Sequence, residues 1–274
     1  MARPLRISYE GAVYHLTSRG NNRGGIFRTV KDRQYFLQLL AEVAKRYQWL
    51  CYAYCLMDNH YHLVMETVLG NVSKGMRQLN GEYTQYFNFV HKRVGHLFQG
   101  RFKGILVEKD SHLLEVCRYV VLNPVRAKMC QRPSQYGWSS YQATVGLKDS
   151  SLHLNRDWLL SQFGKQRKDA IQSYVKFVEE GLRHKPWDEL KGQIYFGSEK
   201  FIKNLQASVA DEKEIPRVQR QPIRPSLSEV LTKSDGMLTA YKDYGYSLKE
   251  IAQHLGVHYA TVSRRLKRLE GENV

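Results

Sequence analysis

Cysteine is scarce in this sequence and is not arranged for a zinc site or a disulfide framework. The 274 residues contain four cysteines, and none of them forms the paired CxxC spacing of a zinc site. A small secreted protein held together by disulfides would need a much denser set. We therefore expect reduced cysteines that serve as packing residues in a cytoplasmic protein.

Long apolar runs are also missing. The sequence contains no stretch of about 18 consecutive apolar residues, the length that a membrane-spanning helix requires. The opening residues, MARPLRISYEG, lack the apolar segment of a signal peptide. The sequence therefore predicts neither export nor a membrane partner.

Acidic side chains are few in comparison with basic ones. The 26 Asp and Glu residues stand against 42 Lys and Arg residues, which gives a formal net charge of +16. Such a surplus creates a field that favours a polyanionic partner, although a merely soluble basic surface has the same composition. The hydrophobic content of 42% is that of a folded soluble protein, and from the charge we expect a polyanionic partner.

Hydrophobic periodicity divides the first 130 residues into strands and helices. A β-rich run, GAVYHLTSRG, leads into the loop RGNNRGG, and residues 31–47 and 72–91 keep helical spacing. Between these helices, WLCYAYCLM and HYHLVMET flank Asp58 and Asn59 as a hairpin does. GRFKGILVE is a further strand, and DSHLLEVCRYVVLNPVRA is a helix with an Asp or Ser cap that stops near Pro124. This order predicts an α+β fold, a ferredoxin-like βαββαβ antiparallel sheet with helices packed on one face.

The rest of the chain predicts a different organisation. We expect the α+β unit to cover residues 1–146 and a helical extension to cover residues 147–210, with a helix at KDAIQSYVKFVEEGL. Residues 211–230 contain three prolines among several charges, which is typical of a linker. Residues 231–274 form a separate small helical domain.

Two histidines of the strand HYHLVMET share one face. Because strand side chains alternate, His60 and His62 point the same way while Tyr61 points away from them. Residues at i and i+2 lie roughly 6 to 7 Å apart along a strand, close enough for two imidazoles to converge on one metal ion. The alternative is that both are polar residues on a solvated face of the sheet.

Tyr119 lies outside the apolar arc of its predicted helix. It falls on a neighbouring polar strip, with Asn123 one helical turn later. Two imidazoles and one amide oxygen can hold a divalent cation, Mg²⁺ or Mn²⁺ by preference, with Zn²⁺ not excluded. A cation of this kind would neutralise a phosphodiester that Tyr119 attacks in line. The alternative role for Tyr119 is packing. The residues of the apolar arc are Leu113, Leu114, Val116, Cys117, Val120 and Val121, and those of the polar strip besides Tyr119 are His112, Glu115, Asn123 and Arg126.

The motifs HLTSRGNNR, MDNHYHLV, GRFKG, CRYVVLNPVRA and WSSY occur in this order over the first 145 or so residues. Together they resemble the motifs of the REP-associated tyrosine transposases, which belong to the HUH single-tyrosine transposases. The resemblance implies metal-assisted cleavage and rejoining of single-stranded DNA at hairpin-forming palindromes, through a covalent 5′-phosphotyrosine that leaves a free 3′-hydroxyl. It also implies a cytoplasmic, nucleoid-associated protein, and it leaves both a monomer and a dimer open.

The same resemblance assigns roles to four residues. His60 and His62 match the metal ligands, and Tyr119 matches the nucleophile. Asn123 matches the polar residue one turn later, which is glutamine in the broader transposase group.

Several basic and amide side chains are predicted DNA contacts, independently of the resemblance. Arginine and lysine can bind phosphates, and asparagine amides can read base edges. A solvated basic loop is the alternative reading. The predicted contacts are Arg19, Asn21, Asn22, Arg23, Arg101, Lys103 and Arg126.

The segment SLKEIAQHLGVHYATVSRRLKRL has helix-turn-helix spacing. Ser247 and Glu250 form a capping box, the interior positions include Leu255, and Gly256 is the turn glycine. The segment resembles the C-terminal helix-turn-helix of bacterial replication initiators and predicts contact with duplex DNA; a packing or dimerising helical pair is the alternative. Predicted DNA contacts are His258, Tyr259, Ser263 and Arg264 at the major groove, with Arg265, Lys267 and Arg268 near phosphates.

Two functional classes remain in competition. The first hypothesis is a DNA strand transferase that acts on folded palindromes. The second is a sequence-specific DNA-binding protein, regulatory or architectural, without turnover. An RNA-binding protein is a weaker alternative, because the aromatic strings of RNA-recognition strands are absent.

Overall fold

The computed structural model describes residues 7–109, 112–183, 186–192, 194–207, 224–232, 235–242 and 244–271. The chain divides into two compact units, Arg6–Glu189 and Leu190–Val274. Most of the predicted linker at 211–230, and the helix caps predicted at residues 110 and 111, lie outside the described residues. The domain boundaries predicted near residues 146, 210 and 230 stay predictions.

The first unit is built on an antiparallel sheet. Its strands are β1 (Ala12–Arg19), β2 (Trp49–Leu56), β3 (His60–Thr67) and β4 (Lys103–Val107), in the order β2-β3-β1-β4. Each neighbouring pair is antiparallel, and β3 lies between β1 and β2. This is the ferredoxin-like order that the sequence predicts.

Helices α1 (Val30–Tyr47) and α2 (Val72–Val90) cover one face of this sheet, and α3 (Leu113–Arg126) covers the other. Tyr61 of β3 marks the first face, since its ring lies 4.8 Å from that of Phe36 in α1 and its hydroxyl donates to Asn80 of α2 at 2.6 Å. His62 marks the second face, because its ring lies 6.0 Å from that of Tyr119 in α3. Helices α1 and α2 therefore pack on the same face, as expected. Helix α3 covers the opposite face, which carries the histidines.

Helix α3 continues past Pro124 instead of stopping there. Proline lacks the backbone N–H that would bond the carbonyl of Val120 four residues earlier. The side-chain amide of Asn123 replaces this donor, since its Nδ2 lies 3.3 Å from the Val120 carbonyl oxygen and 3.2 Å from that of Tyr119. The helix thereby reaches Arg126 with its carbonyls satisfied.

Residues after α3 return to the sheet. The WSSY segment runs along the outer edge of β2, where Tyr54 and Ser140 exchange hydrogen bonds and Leu56 donates to the Trp138 carbonyl. It therefore shields an edge strand that would otherwise expose unpaired backbone groups. The helices α4 (Tyr141–Thr144), α5 (Arg156–Ser161) and α6 (Arg167–Glu180) follow, then two 3₁₀ turns at Gly181–Arg183 and Pro186–Glu189.

The second unit is mostly helical. It contains β5 (Tyr195–Phe196), α7 (Glu199–Ala207), α8 (Leu227–Val230), α9 (Gly236–Lys242), α10 (Leu248–His254) and α11 (Tyr259–Gly271). The predicted capping box of Ser247 and Glu250 opens α10. Leu255 does not face the interior as expected, since it follows the end of α10 and is 36% exposed. The buried core is formed by Val230, Ala240, Tyr246, Ile251, Ala252, Val262 and Leu266.

No helix within the described ranges combines the length and the apolarity needed to cross a bilayer.

Candidate active site

His60 and His62 lie at the beginning of β3 and face α3. Antiparallel pairing places Arg19 opposite His60 and Thr17 opposite His62. The two imidazole rings are 4.9 Å apart between centroids and inclined at 78°. The spacing inferred from strand alternation is thus realised, with both rings on one side of the sheet.

The hydrogen bonds of Asn59 fix which nitrogen of His60 carries a proton. The Asn59 amide nitrogen donates to the Arg23 carbonyl at 3.0 Å, so its amide oxygen faces the His60 Nδ1, 2.7 Å away. An amide oxygen only accepts, and Nδ1 must therefore be the protonated nitrogen. The lone pair of His60 is left on Nε2, where a metal ion or another electrophile can use it.

His62 makes its hydrogen bond with a histidine on the adjacent strand. Its Nδ1 lies 2.8 Å from Nε2 of His15 in β1. The other nitrogen of His62, Nε2, is buried and has no hydrogen-bond partner among the described residues. A buried polar atom without a partner is costly, so this nitrogen calls for a ligand.

Burial keeps all three imidazoles neutral at physiological pH. It lowers the pKa of His60 to about 4, with a further decrease from the charge of Arg19. Burial and the charge of Lys103 lower the pKa of His15 to about 3. The pKa of His62 is held well below its usual value by burial, by the other two histidines and by Arg19. Neutral imidazoles are the form that binds metals.

Tyr119 packs its ring against this group from α3. Its ring centroid lies 6.0 Å from that of His62 and 6.2 Å from that of His15, and its plane is nearly perpendicular to both. The guanidinium carbon of Arg126 lies 4.8 Å from the Tyr119 ring centroid, and Arg126 also donates to the carbonyls of Tyr119 and Gly181. The Tyr119 hydroxyl makes no hydrogen bond with any described residue. A positioned phenol with a free hydroxyl is what a nucleophile requires.

Trp187 completes the wall around Tyr119. The indole ring lies 5.0 Å from Tyr119 and 4.8 Å from His15 between centroids. Helix α6, which precedes Trp187, packs on α3. The Arg118 guanidinium of α3 lies over the ring of Phe177 in α6 and donates to the Phe177 carbonyl. Only glycine fits at Gly181, where an added Cβ would approach Arg118 to 2.3 Å.

Asn123 lies one turn after Tyr119, as the sequence indicates. Its amide nitrogen is committed to the carbonyls of its own helix, which leaves the amide oxygen as the atom able to act as a ligand. Among the described residues, no three side chains of the His, Cys, Asp and Glu types converge as a metal site. Two imidazole nitrogens and one amide oxygen as ligands of Mg²⁺ or Mn²⁺ stay a prediction, and such a set would leave coordination positions for substrate and water.

The predicted DNA contacts of the first unit fall into two groups. Arg19, Asn21, Asn22, Arg23, Arg101 and Lys103 are exposed, whereas Arg126 is partly buried against Tyr119. The loop that begins at Gly20 is tied to the histidine strand, since the Gly20 N–H donates to the Asn59 carbonyl. Beside this loop lies a cavity of about 490 Å³, whose lining includes Asn21, Asn80, His96, Phe98 and Arg101.

In the second unit, α10 and α11 are joined by a turn at Gly256, whose φ of +66° suits glycine. His258, Tyr259, Arg264, Arg265 and Arg268 are exposed and Ser263 is partly exposed. The side chain of Lys267 lies outside the described part of the chain.

Sequence reasoning missed His15 and Trp187. A histidine at an alternating position of the run VYHLTSR was a visible signal, but its meaning depends on pairing. Only the register that places Thr17 opposite His62 brings His15 to the diagonal position. For Trp187 we find no local signal, because it reaches the site from a segment after α6.

Comparison with known proteins gives matches to two family models. The family model described as "Transposase IS200 like" matches residues 8–123, which contain His15, His60, His62, Tyr119 and Asn123. A model described as "Helix-turn-helix domain" matches residues 238–269. Among curated proteins, none matches this chain.

Among solved structures, the chain is similar to a REP-associated tyrosine transposase bound to a REP hairpin. The sequences are 16% identical, the match covers 55% of this chain and 96% of the other, and the TM-score is 0.47. Residues 8–123 of this chain are thus similar to the IS200-like transposases, and residues 238–269, in its second unit, are similar to helix-turn-helix domains.

Proposed function

We propose that this protein is a DNA transposase that cleaves and rejoins single-stranded DNA at hairpin-forming palindromes, with Tyr119 as the nucleophile and His60 and His62 as metal ligands. The family supplies the general activity, and the particular roles are our assignment. The preference for palindromes comes from the motifs that resemble REP-associated transposases.

One observation carries the proposal. Tyr119 lies beside an imidazole pair, and within the described part of the chain neither its hydroxyl nor the buried Nε2 of His62 has a hydrogen-bond partner. A packing tyrosine gains nothing from a neighbouring unsatisfied nitrogen, which costs about 1–3 kcal/mol. A nucleophile next to two prospective metal ligands explains both features.

A divalent cation bound by His60, His62 and the amide oxygen of Asn123 would neutralise the phosphodiester and orient its phosphorus. The protein contributes the rest. Arg126 and Trp187 hold the Tyr119 ring in one orientation, and the guanidinium places a positive charge next to the ring as the phenol loses its proton.

The reaction exchanges one ester for another. The Tyr119 oxygen forms a bond to phosphorus as the bond between phosphorus and the 3′ oxygen breaks. The phenol gives up a proton, the departing 3′ oxygen takes one up, and the downstream strand stays attached to the protein as a 5′-phosphotyrosine. A second 3′-hydroxyl reverses the step, so that strands are rejoined without an external energy source.

Positive and amide groups around the site support a path for the DNA. Arg19 and Lys103 lie on the same face of the sheet as His60, where they can contact phosphates on either side of the scissile bond. The cavity that includes Asn21, Phe98 and Arg101 has the size and polarity to hold an unpaired base.

His60, His62 and Tyr119 come from one chain, so the proposed centre does not depend on a second copy. We further assign contact with duplex DNA to α11 and the residue before it, since His258, Tyr259 and Arg264 are exposed and suit a recognition helix. The rival hypothesis, a DNA-binding protein without turnover, shares this second unit and differs only in the chemistry of Tyr119.

The test is formation of a covalent protein–DNA adduct. Palindromic single-stranded oligonucleotides, labelled at either the 5′ or the 3′ end, are incubated with Mn²⁺ and the full chain, then separated in SDS. We expect an adduct that carries the 3′ label and a released fragment that carries the 5′ label. Tyr119→Phe and addition of a chelator should each abolish the adduct.

Tyr52→Phe is the matched control, because Tyr52 is a buried phenol of the same unit that bonds to Glu66 and not to the histidines. It should retain the adduct. An adduct in Tyr119→Phe would remove the nucleophile assignment. Tight binding of hairpins without any adduct in the wild type would favour the DNA-binding hypothesis.

A further inference from the structure

We propose that His15 is a positioning residue for His62, one that fixes the proton and the orientation of this imidazole so that its Nε2 is available to a metal ion. The inference rests on the metal site proposed above. It concerns a residue on another strand, outside the ligand set of His60, His62 and Asn123.

The contact between the two imidazoles has the geometry of a strong hydrogen bond. The nitrogens are 2.8 Å apart, the ring planes differ by 4°, and the centroids are separated by 5.1 Å. With the two nitrogens this close, such a centroid separation means that the rings lie edge to edge in a common plane. The proton between them therefore lies along the lone pair of the accepting nitrogen.

The direction of this hydrogen bond decides whether His62 can be a ligand. If His62 donates from Nδ1, its lone pair is on Nε2, the atom without a partner in the described ranges. If His15 donates instead, Nε2 of His62 carries the proton and cannot bind a cation. Metal binding thus requires His15 to accept at Nε2, the role that carboxylates and carbonyls fill for most metal-binding histidines.

His60 supports this interpretation by analogy within the same site. Its Nδ1 donates to the amide oxygen of Asn59, which leaves Nε2 for a ligand. Each of the two imidazoles is therefore held by an acceptor at Nδ1, His60 by its sequence neighbour and His62 by the adjacent strand. In each prospective ligand, a hydrogen bond at Nδ1 would orient the ring while Nε2 stays available to the metal ion.

A purely structural role for His15 explains the site less well. His15 is 3% exposed, and its own Nδ1 is also buried without a partner among the residues that the structure describes. An apolar side chain would fill this position between His62 and Trp187 without an unsatisfied nitrogen of its own, but it would leave Nδ1 of His62 without its hydrogen bond. The imidazole is useful here because it accepts from His62.

The test compares two substitutions that differ only in reach. Glutamine at position 15 can place its amide oxygen near the position of the imidazole Nε2, whereas asparagine is one methylene shorter. Mn²⁺ affinity of the full chain is measured without DNA, from the electron paramagnetic resonance signal of free Mn²⁺. A His60→Ala, His62→Ala double variant gives the background.

We expect His15→Asn to bind Mn²⁺ about 10- to 100-fold more weakly than wild type, the usual cost of losing such a partner, and His15→Gln to recover most of the affinity. Thermal unfolding in chelator should be alike for both variants, so that loss of folding does not explain the difference. His91→Gln, which alters a histidine bound to Asp32 elsewhere in the unit, should leave Mn²⁺ affinity unchanged.

Equal affinity in wild type and His15→Asn would overturn the positioning role and leave the metal site intact. Equal weakness in both His15 variants would overturn it as well, because an acceptor at that position would then not matter. Wild type that binds no more Mn²⁺ than the background variant would overturn the metal site and this inference together.

The Co²⁺ absorption spectrum separates positioning from direct ligation. His15→Gln should give the wild-type spectrum, since the atoms bound to the metal are unchanged. A different spectrum would make His15 itself a ligand and overturn the proposal.

Discussion

Glu66 and His62 lie on the same face of β3, four residues apart, and both are buried, but their polar atoms differ in hydrogen bonding. One carboxylate oxygen of Glu66 accepts from the Tyr52 hydroxyl at 2.5 Å and from the Lys109 ammonium at 2.8 Å. At the other end of the face, Nε2 of His62 and Nδ1 of His15 have no partner among the described residues.

A tryptophan ring covers each end of this face, the one at Glu66 and the one at His62. Trp158 packs on Tyr52 at a centroid distance of 5.1 Å, as Trp187 packs on Tyr119 at 5.0 Å. The phenols differ as well, because burial and then Glu66 raise the pKa of Tyr52, whose hydroxyl is bound, while the hydroxyl of Tyr119 bonds to none of the described residues. Glu66 and His62 are thus similarly buried but differ in hydrogen bonding, and we propose that the first stabilises the fold while the second binds a ligand.

The largest effect on stability is expected at the Glu66 end. Glu66→Ala would leave Lys109 and Tyr52 without their acceptor, so we expect the free energy of unfolding to fall by about 1–3 kcal/mol. Urea unfolding in chelator measures this, and Glu42→Ala, at an exposed carboxylate of α1, should change stability by less than about 0.5 kcal/mol.

Metal affinity should not follow this loss. Glu66→Ala that binds Mn²⁺ as the wild type does would keep the two ends distinct. Loss of Mn²⁺ binding at unchanged stability would instead place Glu66 in the active site and break the comparison.

Local patterns in the sequence were sufficient to predict part of the site. Alternation along β3 was sufficient to place His60 and His62 on one side, and the helical period was sufficient to separate Tyr119 from the valines of α3. Both are local properties, and the structure confirms them.

Contacts between distant segments were beyond such reasoning. His15 meets His62 because β1 pairs with β3 in one register, and Trp187 meets Tyr119 because α6 returns to α3. Neither pairing leaves a periodic signal. The helix end at Pro124 was predicted from the backbone of proline alone, without the side chain of Asn123 that replaces the missing donor.

The next largest effect on stability is expected at Asn123, which bonds to carbonyls of its helix and is also a proposed metal ligand. Asn123→Ala leaves the Val120 carbonyl without a donor, and we expect a loss of about 1 kcal/mol in unfolding free energy. In a Pro124→Ala background the backbone N–H is restored, so the same substitution should cost clearly less. Urea unfolding of the four proteins completes the cycle.

Mn²⁺ affinity read on the same four proteins separates the two roles of Asn123. If its amide oxygen is a ligand, affinity falls with Asn123→Ala in both backgrounds. A fall that disappears in the Pro124→Ala background would reduce Asn123 to a helix residue and leave the two histidines as the ligands that the chain provides.

The smallest effect on stability is expected when His15 and His62 are replaced together, although this change should abolish Mn²⁺ binding. His15→Leu combined with His62→Leu removes both partners of the hydrogen bond and both unpaired nitrogens, and replacing such a pair by apolar groups is nearly neutral or stabilising. We expect the free energy of unfolding to change by less than about 1 kcal/mol and Mn²⁺ binding to fall to background. His62→Leu alone should be less stable than the double variant, because it leaves both nitrogens of His15 unpaired. A double variant that is several kcal/mol less stable than wild type would mean that the histidine pair holds the sheet together, and the two ends of this face would then differ only in the residues used.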